Sequence, residues 1–250
     1  MRFEPFDLTE LQDAALLDRV DTKYIIGLHQ LYAILPNVER DYRVLTIHTA
    51  RLHAYQTLYF DTRDFTIYRQ HHNGVASRYK VRARRYLDSD LAFLEVKHHT
   101  NRKRTVKTRL PIPDIETRLR GQSMEFIGEH TPFDPRELEP KLWNHYTRIT
   151  LVSRHRPERV TIDTNVEFGW RDDCTMLPGL VIVEVKQARL SQDSEFIQHM
   201  RRLGIRPMSY SKYTAGVYSL YKPMKLNNFK AQIRQVNKIM QGEFEREFAY

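Results

Sequence analysis

Basic residues occupy every second position of residues 77–86, and this alternation constrains the fold more than any other feature of the sequence. The basic side chains that share one phase are Arg78, Lys80, Arg82 and Arg84. Side chains alternate across a β-strand, so Tyr79, Val81 and Ala83 face the opposite side. A lone strand of this kind normally buries its apolar face and exposes its charges to water. The other strands therefore decide which way the charged face points.

The charge balance predicts a polyanionic partner. The chain has 250 residues, 41% of them hydrophobic, which is enough for a substantial core. Forty basic residues against thirty-one acidic ones give a net charge of +9. This excess is typical of proteins that bind nucleic acid, anionic membranes or phosphate compounds.

Cysteine and hydropathy indicate the compartment. A single cysteine, Cys174, excludes an internal disulfide framework and a cysteine-rich zinc site, which favours a reducing cytosol. No apolar run approaches the ~20 residues needed to cross a bilayer, and the N-terminus lacks the apolar core of a signal peptide. We therefore expect a soluble, cytoplasmic protein.

Periodicity predicts a single α+β domain over residues 1–250, with a helical C-terminal segment over about residues 190–250. The predicted strands are residues 23–27, 55–61, 77–86, 91–99, 102–110 (ending at Pro111), 145–152, 158–164 and 180–187. The predicted helices are residues 7–19, 29–35 (stopped by Pro36), 64–71, 113–129, 135–143, 193–203, 210–221 and 226–240.

Several of these strands repeat the cationic pattern of the first. Leu94-Glu-Val-Lys97 and Val183-Glu-Val-Lys186 are nearly the same tetrapeptide, and each places a carboxylate and an ammonium on one face. Eight antiparallel strands can close into a barrel that just admits side chains or a slim ligand. If the apolar faces pack outward against the helices, the charged faces point inward.

Such a lumen would collect many cations whose repulsion and desolvation are costly, so it makes physical sense chiefly as a holder of polyphosphate charge. The expected lumen residues are Lys23, Arg82, Arg84, Lys97, Lys107, Arg148, Arg159, Lys186 and Lys212. Glu95 and Glu184 lie in the same phase, where they could form ion pairs or hold a divalent cation that bridges phosphate oxygens. Of the two, Glu184 is the preferred metal ligand.

An ordered set of motifs from about residue 19 to about residue 218 resembles the catalytic domain of the vacuolar transporter chaperone (VTC) polyphosphate polymerases, which are triphosphate tunnel metalloenzymes. The motifs are Lys23-Tyr24, Tyr59-Phe-Asp-Thr62, Lys80-Val-Arg-Ala-Arg-Arg-Tyr86, Leu94-Glu-Val-Lys97, Val106-Lys-Thr-Arg109, Tyr146-Thr-Arg148, Arg159-Val-Thr-Ile-Asp163, Val183-Glu-Val-Lys186 and Ser211-Lys-Tyr213. The resemblance implies an eight-stranded antiparallel barrel with helices around it.

The resemblance also implies roles for particular residues. Positions that bind the nucleoside triphosphate or the growing chain are Lys23, Arg82, Arg84, Lys97, Lys107, Arg148, Arg159 and Lys212, to which we add substrate contacts from Lys80, Arg109, Tyr146, Lys186 and Ser211. Glu184 matches the metal-binding glutamate, with Glu95 as a second candidate ligand for Mn²⁺ or Mg²⁺. The implied reaction transfers the γ-phosphate of ATP onto polyphosphate.

Two features depart from related families. The adenylate cyclase and thiamine triphosphatase branch has a Glu-x-Glu-x-Lys signature on its first strand, whereas this chain has Arg19-Val-Asp-Thr-Lys23, which weakens a two-metal hydrolase interpretation. The eukaryotic polymerases carry membrane-spanning modules, so coupling to translocation would require a membrane-protein partner at the inner face of a membrane. Residues 222–238 could dock there, although a solvated basic helix face is the simpler interpretation.

Three other functions remain open. A tunnel triphosphatase would use the same cations to release orthophosphate, and a non-catalytic module would only bind polyphosphate or inositol phosphates. A nucleic-acid binder ranks last, because Tyr79 alternates away from Arg78 and Lys80. The histidine pairs 71–72 and 98–99 are expected at surface or loop positions without a catalytic role.

Overall fold

The computed structural model describes residues 2–13, 20–102, 104–222 and 224–247, which form one large sheet with helices on both of its faces. The strands are β1 (Glu4–Phe6), β2 (Val20–Gly27), β3 (Tyr42–Leu45), β4 (His53–Thr62), β5 (Arg78–Tyr86), β6 (Leu91–His99), β7 (Thr105–Ile112), β8 (Leu138–Ser153), β9 (Glu158–Trp170), β10 (Asp173–Met176) and β11 (Leu180–Gln187). The helices are α1 (Leu8–Asp13), α2 (Leu28–Val38), α3 (Thr66–His72), α4 (Gly121–His130), α5 (Glu195–Arg202), α6 (Lys212–Leu220) and α7 (Lys230–Glu247).

Eight strands form a continuous antiparallel path in the order β2-β11-β9-β8-β4-β5-β6-β7. The short strands β1, β3 and β10 extend it, and among the strand pairs of the described residues only β1–β3 is parallel. The predicted α+β class and antiparallel sheet are confirmed. Within the described residues no pairing joins β2 to β7, so the sheet is open and the predicted closed barrel is not confirmed.

The two edge strands differ in their surroundings. β7 is largely exposed and continues through Pro111 to Ile112, beyond the predicted end, because a proline without an N–H is tolerated at a sheet edge. The edge of β2 is covered by a later segment, since Met208 N donates a hydrogen bond of 2.8 Å to the Lys23 carbonyl.

The convex face of the sheet is apolar, as the alternation predicted. Helices α2 and α5 cover the strands β2, β11, β8 and β9 there, and Leu31 and Phe196 pack against buried residues such as Tyr24 and Val183. Helices α3 and α4 cover β4 to β7, where Val81 and Ala83 are both 1% exposed. The charged face of β5 therefore turns inward, toward the concave side.

Helices α6 and α7 lie against the concave side. Gly216 of α6 packs so closely that an added Cβ would stand 2.8 Å from the Leu142 side chain and 2.9 Å from that of Phe168. The Tyr213 ring lies 5.2 Å from the Tyr59 ring. Helix α7 contacts β2 and β11, whereas α6 contacts β8, β9 and β10.

The predicted helix over residues 135–143 is wrong. Pro135–Glu137 form a single 3₁₀ turn, and β8 begins at Leu138 because its first residues pair with the end of β4. Pro140 is accommodated at the irregular register beside Tyr59 and Phe60.

Several helix boundaries also differ from the predictions. Helix α2 continues past Pro36 to Val38, because Leu35 and Val38 are buried and only the final turn loses a donor. The predicted helix over residues 113–129 shortens to α4. Residues 14–19 of the first predicted helix lie outside the described residues.

Candidate functional site: a cationic face with three carboxylate clamps

The concave face carries a dense group of basic side chains, here called the cationic face. Its members are Lys23, Lys80, Arg82, Arg84, Lys97, Lys107, Arg148, Arg159, Lys186 and Lys212. Three carboxylates of this face, Glu95, Asp163 and Glu184, are each held by two of these cations. The cations still outnumber the acids, so the face keeps a positive surplus.

Glu184 forms the first clamp, between β11 and β2. The register places Glu184 opposite Lys23, whose Nζ lies 3.0 Å from Glu184 Oε1. Lys186 on the same strand also contacts Glu184 and donates to Thr161 Oγ1 at 3.1 Å. Burial would raise the pKa of Glu184, but Lys186 and Lys23 outweigh it and hold that pKa well below its usual range.

Glu95 forms the second clamp, between β6, β5 and β7. Arg82 Nε and Nη2 both lie 2.7 Å from Glu95 Oε2, and Lys107 contacts the other carboxylate oxygen. Although burial favours the neutral acid, Arg82, Arg84 and Lys107 hold the pKa of Glu95 below its usual range. With its side chain 1% exposed, Glu95 has the geometry of a buried ion pair.

Asp163 forms the third clamp and was given no role by the sequence argument. Arg148 binds it with two parallel hydrogen bonds, Nε to Oδ1 at 2.6 Å and Nη2 to Oδ2 at 2.9 Å, and Lys212 of α6 contacts Oδ2. Its phase on β9, shared with Arg159, is a sequence signal for this position. Its pairing with Arg148 depends on the register between β8 and β9.

A pair of tyrosines forms the floor between these clamps. The rings of Tyr55 and Tyr146 stack with centroids 5.0 Å apart. Lys212 Nζ lies 4.1 Å from the Tyr146 ring centroid, and the Arg148 and Arg84 guanidinium carbons lie at 5.3 Å and 5.8 Å. The Tyr146 hydroxyl is buried and has no hydrogen-bond partner in the described part of the chain. Such an atom normally has a partner, which an acceptor on a bound ligand could supply.

Four lysines of the face have lowered pKa values. Desolvation brings the pKa of Lys97, Lys107, Lys186 and Lys212 to about 8, with the charge of a neighbouring base adding to it. Desolvation also lowers the pKa of Lys80, next to the charges of Lys97 and Lys23. An anion bound there would relieve the repulsion.

Three predicted arginines, Arg84, Arg159 and Arg109, lie outside the pairs that form the clamps. Arg84 is buried and donates to Thr57 Oγ1 at 3.2 Å. Arg159 lies opposite Lys186 in the register of β9 and β11. Arg109 is exposed, with its guanidinium carbon 4.6 Å from the Phe93 ring centroid near the open edge.

Ser211 has a local structural role. It caps the N-terminus of α6, where its hydroxyl accepts a hydrogen bond from Thr214 N. The cap sets the first turn of α6 beside the clamp of Asp163, which brings Lys212 to the cationic face.

The histidine pairs lie on regular elements rather than in loops. His71 and His72 belong to α3, and His98 and His99 belong to β6. His72 is buried, so the surface or loop position expected for it is wrong.

The carboxylates are too dispersed to form a metal cage by themselves. In residues 2–13, 20–102, 104–222 and 224–247, no group of three or more His, Cys, Asp or Glu side chains could hold a metal ion. Glu184, with its side chain 17% exposed, could supply one oxygen ligand to a cation whose other ligands are phosphate oxygens and water. The metal role of Glu184 therefore stays a prediction, and the geometry gives no support to that of Glu95.

Solved structures of other proteins resemble this fold. A putative adenylate cyclase from Bacillus halodurans has a TM-score of 0.52 at 11% sequence identity, covering 78% of this chain and 94% of that one. A putative adenylyl cyclase from Hippeastrum, described as having a dominant triphosphatase activity, has a TM-score of 0.51 at 13% identity, covering 82% and 98%. At these identities the likeness shows the fold.

Among curated proteins none matches the chain by sequence. No helix in the described residues is long and apolar enough to cross a membrane. The sequence profile of the VTC domain matches residues 18–221, which include every residue of the cationic face and all three clamps. The chain therefore belongs to the VTC domain family.

Proposed function

We propose that this protein is a phosphotransferase that moves the γ-phosphate of ATP onto the end of a polyphosphate chain. The observation that carries the proposal is the buried Tyr146 hydroxyl, which lacks a partner while Lys212, Arg148 and Arg84 surround its ring. A phosphate oxygen there would accept a hydrogen bond from the hydroxyl, and its charge would neutralise part of the positive surplus. Few other ligands combine these properties.

The carboxylate clamps hold the cations in place before a ligand arrives. Arg82 and Arg148 are fixed by Glu95 and Asp163 and still have N–H groups that can donate to phosphate oxygens. Holding donors in position lowers the cost of reorganisation when charge shifts between oxygens during reaction. The site can thus stabilise phosphoryl transfer without a protein nucleophile.

The reaction balances with the two substrates alone. A terminal oxygen of the polyphosphate chain attacks the γ-phosphorus of ATP, a new P–O bond forms, and the bond to the β-phosphate oxygen breaks. The products are ADP and a chain one phosphate longer. The lysines and arginines of the cationic face orient both polyanions and offset the repulsion between them.

Divalent cations fit this site as companions of the phosphates. Mn²⁺ or Mg²⁺ would neutralise charge on the bridged phosphate oxygens, with Glu184 as the protein ligand. The choice between the two cations, the cytoplasmic location and the membrane-protein partner remain predictions. On α7, Lys230, Arg234 and Lys238 are exposed to solvent, which fits the simpler interpretation of that stripe.

Product analysis tests the proposal. We expect purified protein incubated with ATP, Mn²⁺ and a short polyphosphate primer to yield ADP and longer chains. Orthophosphate as the only phosphate product would contradict the transfer reaction and identify a hydrolase. Tight polyphosphate binding without turnover would identify a binding module.

Tyr146→Phe tests the observation on which the proposal depends. The variant removes a buried hydroxyl without a partner, so the free protein should be unchanged or more stable by up to about 1 kcal/mol. Affinity for tripolyphosphate should fall about 10-fold to 100-fold, as expected for one lost hydrogen bond to a charged group. Calorimetric titration and denaturant unfolding measure the two effects. Unchanged affinity would remove the hydroxyl from the site.

A tunnel triphosphatase is the second candidate. The Hippeastrum protein, described as having a dominant triphosphatase activity, shares the fold, and the same cationic face would bind a triphosphate for attack by water. The two reactions differ in the acceptor. The ratio of chain-bound phosphate to free orthophosphate released from ATP distinguishes them directly.

A further inference from the structure

We infer that Tyr213 is a positioning residue for Lys212, an inference that rests on the proposed function. Both residues belong to the motif Ser211-Lys-Tyr213, in which the sequence argument gave Tyr213 no role. Lys212 contacts Asp163 on the cationic face. The Tyr213 hydroxyl instead donates to Asp61, at the end of β4. Tyr213 would therefore act on a bound phosphate through the backbone of α6.

Lys212 differs from the other clamp cations in how it is placed. Those cations lie on strands, where backbone pairing fixes which side chains are neighbours. Lys212 is the first residue of α6. A helix that lies against a sheet has no such register, so side-chain contacts have to set its rotation about its own axis. That rotation decides whether Lys212 points toward Asp163.

Asp61 is a rigid anchor for the tyrosine hydroxyl. It is fully buried and accepts hydrogen bonds from Thr62 N at 2.7 Å and from Ile67 N and Tyr68 N at 2.8 Å. These donors belong to the backbone at the end of β4 and in the first turn of α3. The carboxylate cannot turn without breaking several of these bonds. A hydrogen bond from Tyr213 to this charged group therefore fixes one side of α6.

The packing around Tyr213 transmits this constraint to Lys212. Tyr213 is 1% exposed, and its ring centroid lies 5.2 Å from that of Tyr59. An added Cβ on Gly216 would stand 2.8 Å from the Leu142 side chain, so the depth of α6 against the sheet is also fixed. Consecutive residues of a helix project about 100° apart. With the depth of the helix and the direction of Tyr213 both set, the direction of Lys212 follows.

The other end of α6 provides a matched control. Tyr221 follows the last turn of α6, and its hydroxyl donates to the Lys141 carbonyl of β8. Its ring centroid lies 4.7 Å from that of Phe65. Tyr221 is about 13 Å along the helix from Lys212. The same kind of tyrosine anchor thus occurs once beside the lysine and once far from it.

A double-mutant cycle tests the inference. Tyr213→Phe and Tyr221→Phe are each made in the wild-type chain and in the Lys212→Ala variant, and calorimetric titration measures tripolyphosphate affinity. We expect Tyr213→Phe to weaken binding about 3-fold to 10-fold in the wild-type chain, and less than about 2-fold when residue 212 is alanine. Tyr221→Phe should change affinity by less than about 2-fold in both backgrounds. An unchanged affinity in Tyr213→Phe, or equal losses with and without Lys212, would overturn the inference.

Lysine labelling separates positioning from a general loss of stability. An amine-acylating reagent is applied with and without saturating tripolyphosphate, and mass spectrometry measures labelling at Lys212 and at Lys97 of β6. In the wild-type protein the ligand should protect both lysines. In Tyr213→Phe the protection of Lys212 should be largely lost while that of Lys97 persists.

The other labelling outcomes contradict one proposal or both. Unchanged protection of Lys212 in Tyr213→Phe, or loss of protection at both lysines, would overturn the positioning role and leave the proposed function in place. Failure of tripolyphosphate to bind the wild-type protein would overturn the proposed function as well.

Urea unfolding and a second variant examine the anchor itself. Both tyrosine variants should lower the urea midpoint, because each leaves a buried acceptor with one donor fewer. In Asp61→Asn an amide with one acceptor oxygen replaces a carboxylate with two, so it cannot accept from all of the donors. Added to Tyr213→Phe, Asp61→Asn should lower the urea midpoint further without a further loss of tripolyphosphate affinity. An additional loss of affinity would mean that Asp61 acts by a route other than Tyr213, which would contradict the inference.

Discussion

The two Glu-Val-Lys repeats have the same local sequence and opposite arrangements. In β11, Glu184 pairs with Lys186 of its own strand and with Lys23 across the edge. In β6, Glu95 forms ion pairs not with Lys97 of its own strand but with Arg82 and Lys107 of the two neighbouring strands. The difference shows that cross-strand neighbours, rather than the tetrapeptide, decide whether a lysine is neutralised or left available for a ligand.

Removal of the β6 carboxylate should have the largest effect on stability. Glu95→Gln leaves Arg82 and Lys107 without their buried counter-charge, which should lower the free energy of unfolding by about 3–5 kcal/mol. Glu184→Gln should cost less, because the Glu184 side chain is 17% exposed against 1% for Glu95, so water already screens its ion pairs. Urea unfolding of both variants measures the contrast. Equal losses would mean that the two repeats are equivalent after all.

Replacement of the lysines should also have the larger effect in the β6 repeat when tripolyphosphate affinity is measured. Lys97→Ala removes a charge that Glu95 does not neutralise, so tripolyphosphate affinity should fall about 10-fold or more. Lys186→Ala removes a charge already shared with Glu184, and a loss of about 3-fold is expected. Isothermal titration of matched variants compares the two. A larger loss from Lys186→Ala would contradict the comparison.

The pH dependence should have opposite signs for binding and for stability. Lysines with a pKa of about 8 lose their charge as pH rises through that value, so tripolyphosphate affinity should decrease from pH 7 to pH 9. In the unfolded chain the same lysines remain protonated up to about pH 10, so the unfolded state binds more protons in this window and the empty protein becomes more stable.

Paired measurements check the pH prediction. Denaturant midpoints and titrations at several pH values would be compared with the same data for Lys212→Ala, which removes one contributor. A stability that falls between about pH 8 and pH 10 would contradict the lowered lysine pKa values.

The smallest effect on stability and affinity is expected for a charge that lies outside both Glu-Val-Lys repeats and outside the cationic face. Lys238→Gln changes an exposed residue of α7, so stability should change by less than about 0.5 kcal/mol and tripolyphosphate affinity by less than about 2-fold. Thermal unfolding and titration provide the check. A larger loss of affinity would extend the binding surface beyond the concave face.

Alternation predicted the inward orientation because it is a local property. β6 and β11 have the predicted limits, and the phase of Arg82, Glu95 and Glu184 placed them on one face before any pairing was known. The clamp of Asp163 could not be predicted in this way. It depends on the register between β8 and β9 and on a helix about fifty residues later.

Long-range packing also explains where the structure differs from the predicted secondary structure and barrel. Residues 138–143 carry no decisive period, and pairing with β4 selects the strand. The apolar faces of α6 and α7 gave no sign of which side of the sheet they would cover. Closure of the barrel likewise depends on whether β2 and β7 meet, which neither strand encodes alone.

The first turn of α6 contacts two separate parts of the protein. Lys212 contacts Asp163 on the cationic face, and the next residue, Tyr213, anchors the helix to Asp61. A ligand that binds only the folded state stabilises it by mass action. A ligand bound to the cationic face should therefore also restrain detachment of the C-terminal helices. Phosphate supply would then influence how long the protein survives proteolysis, through a single helical turn.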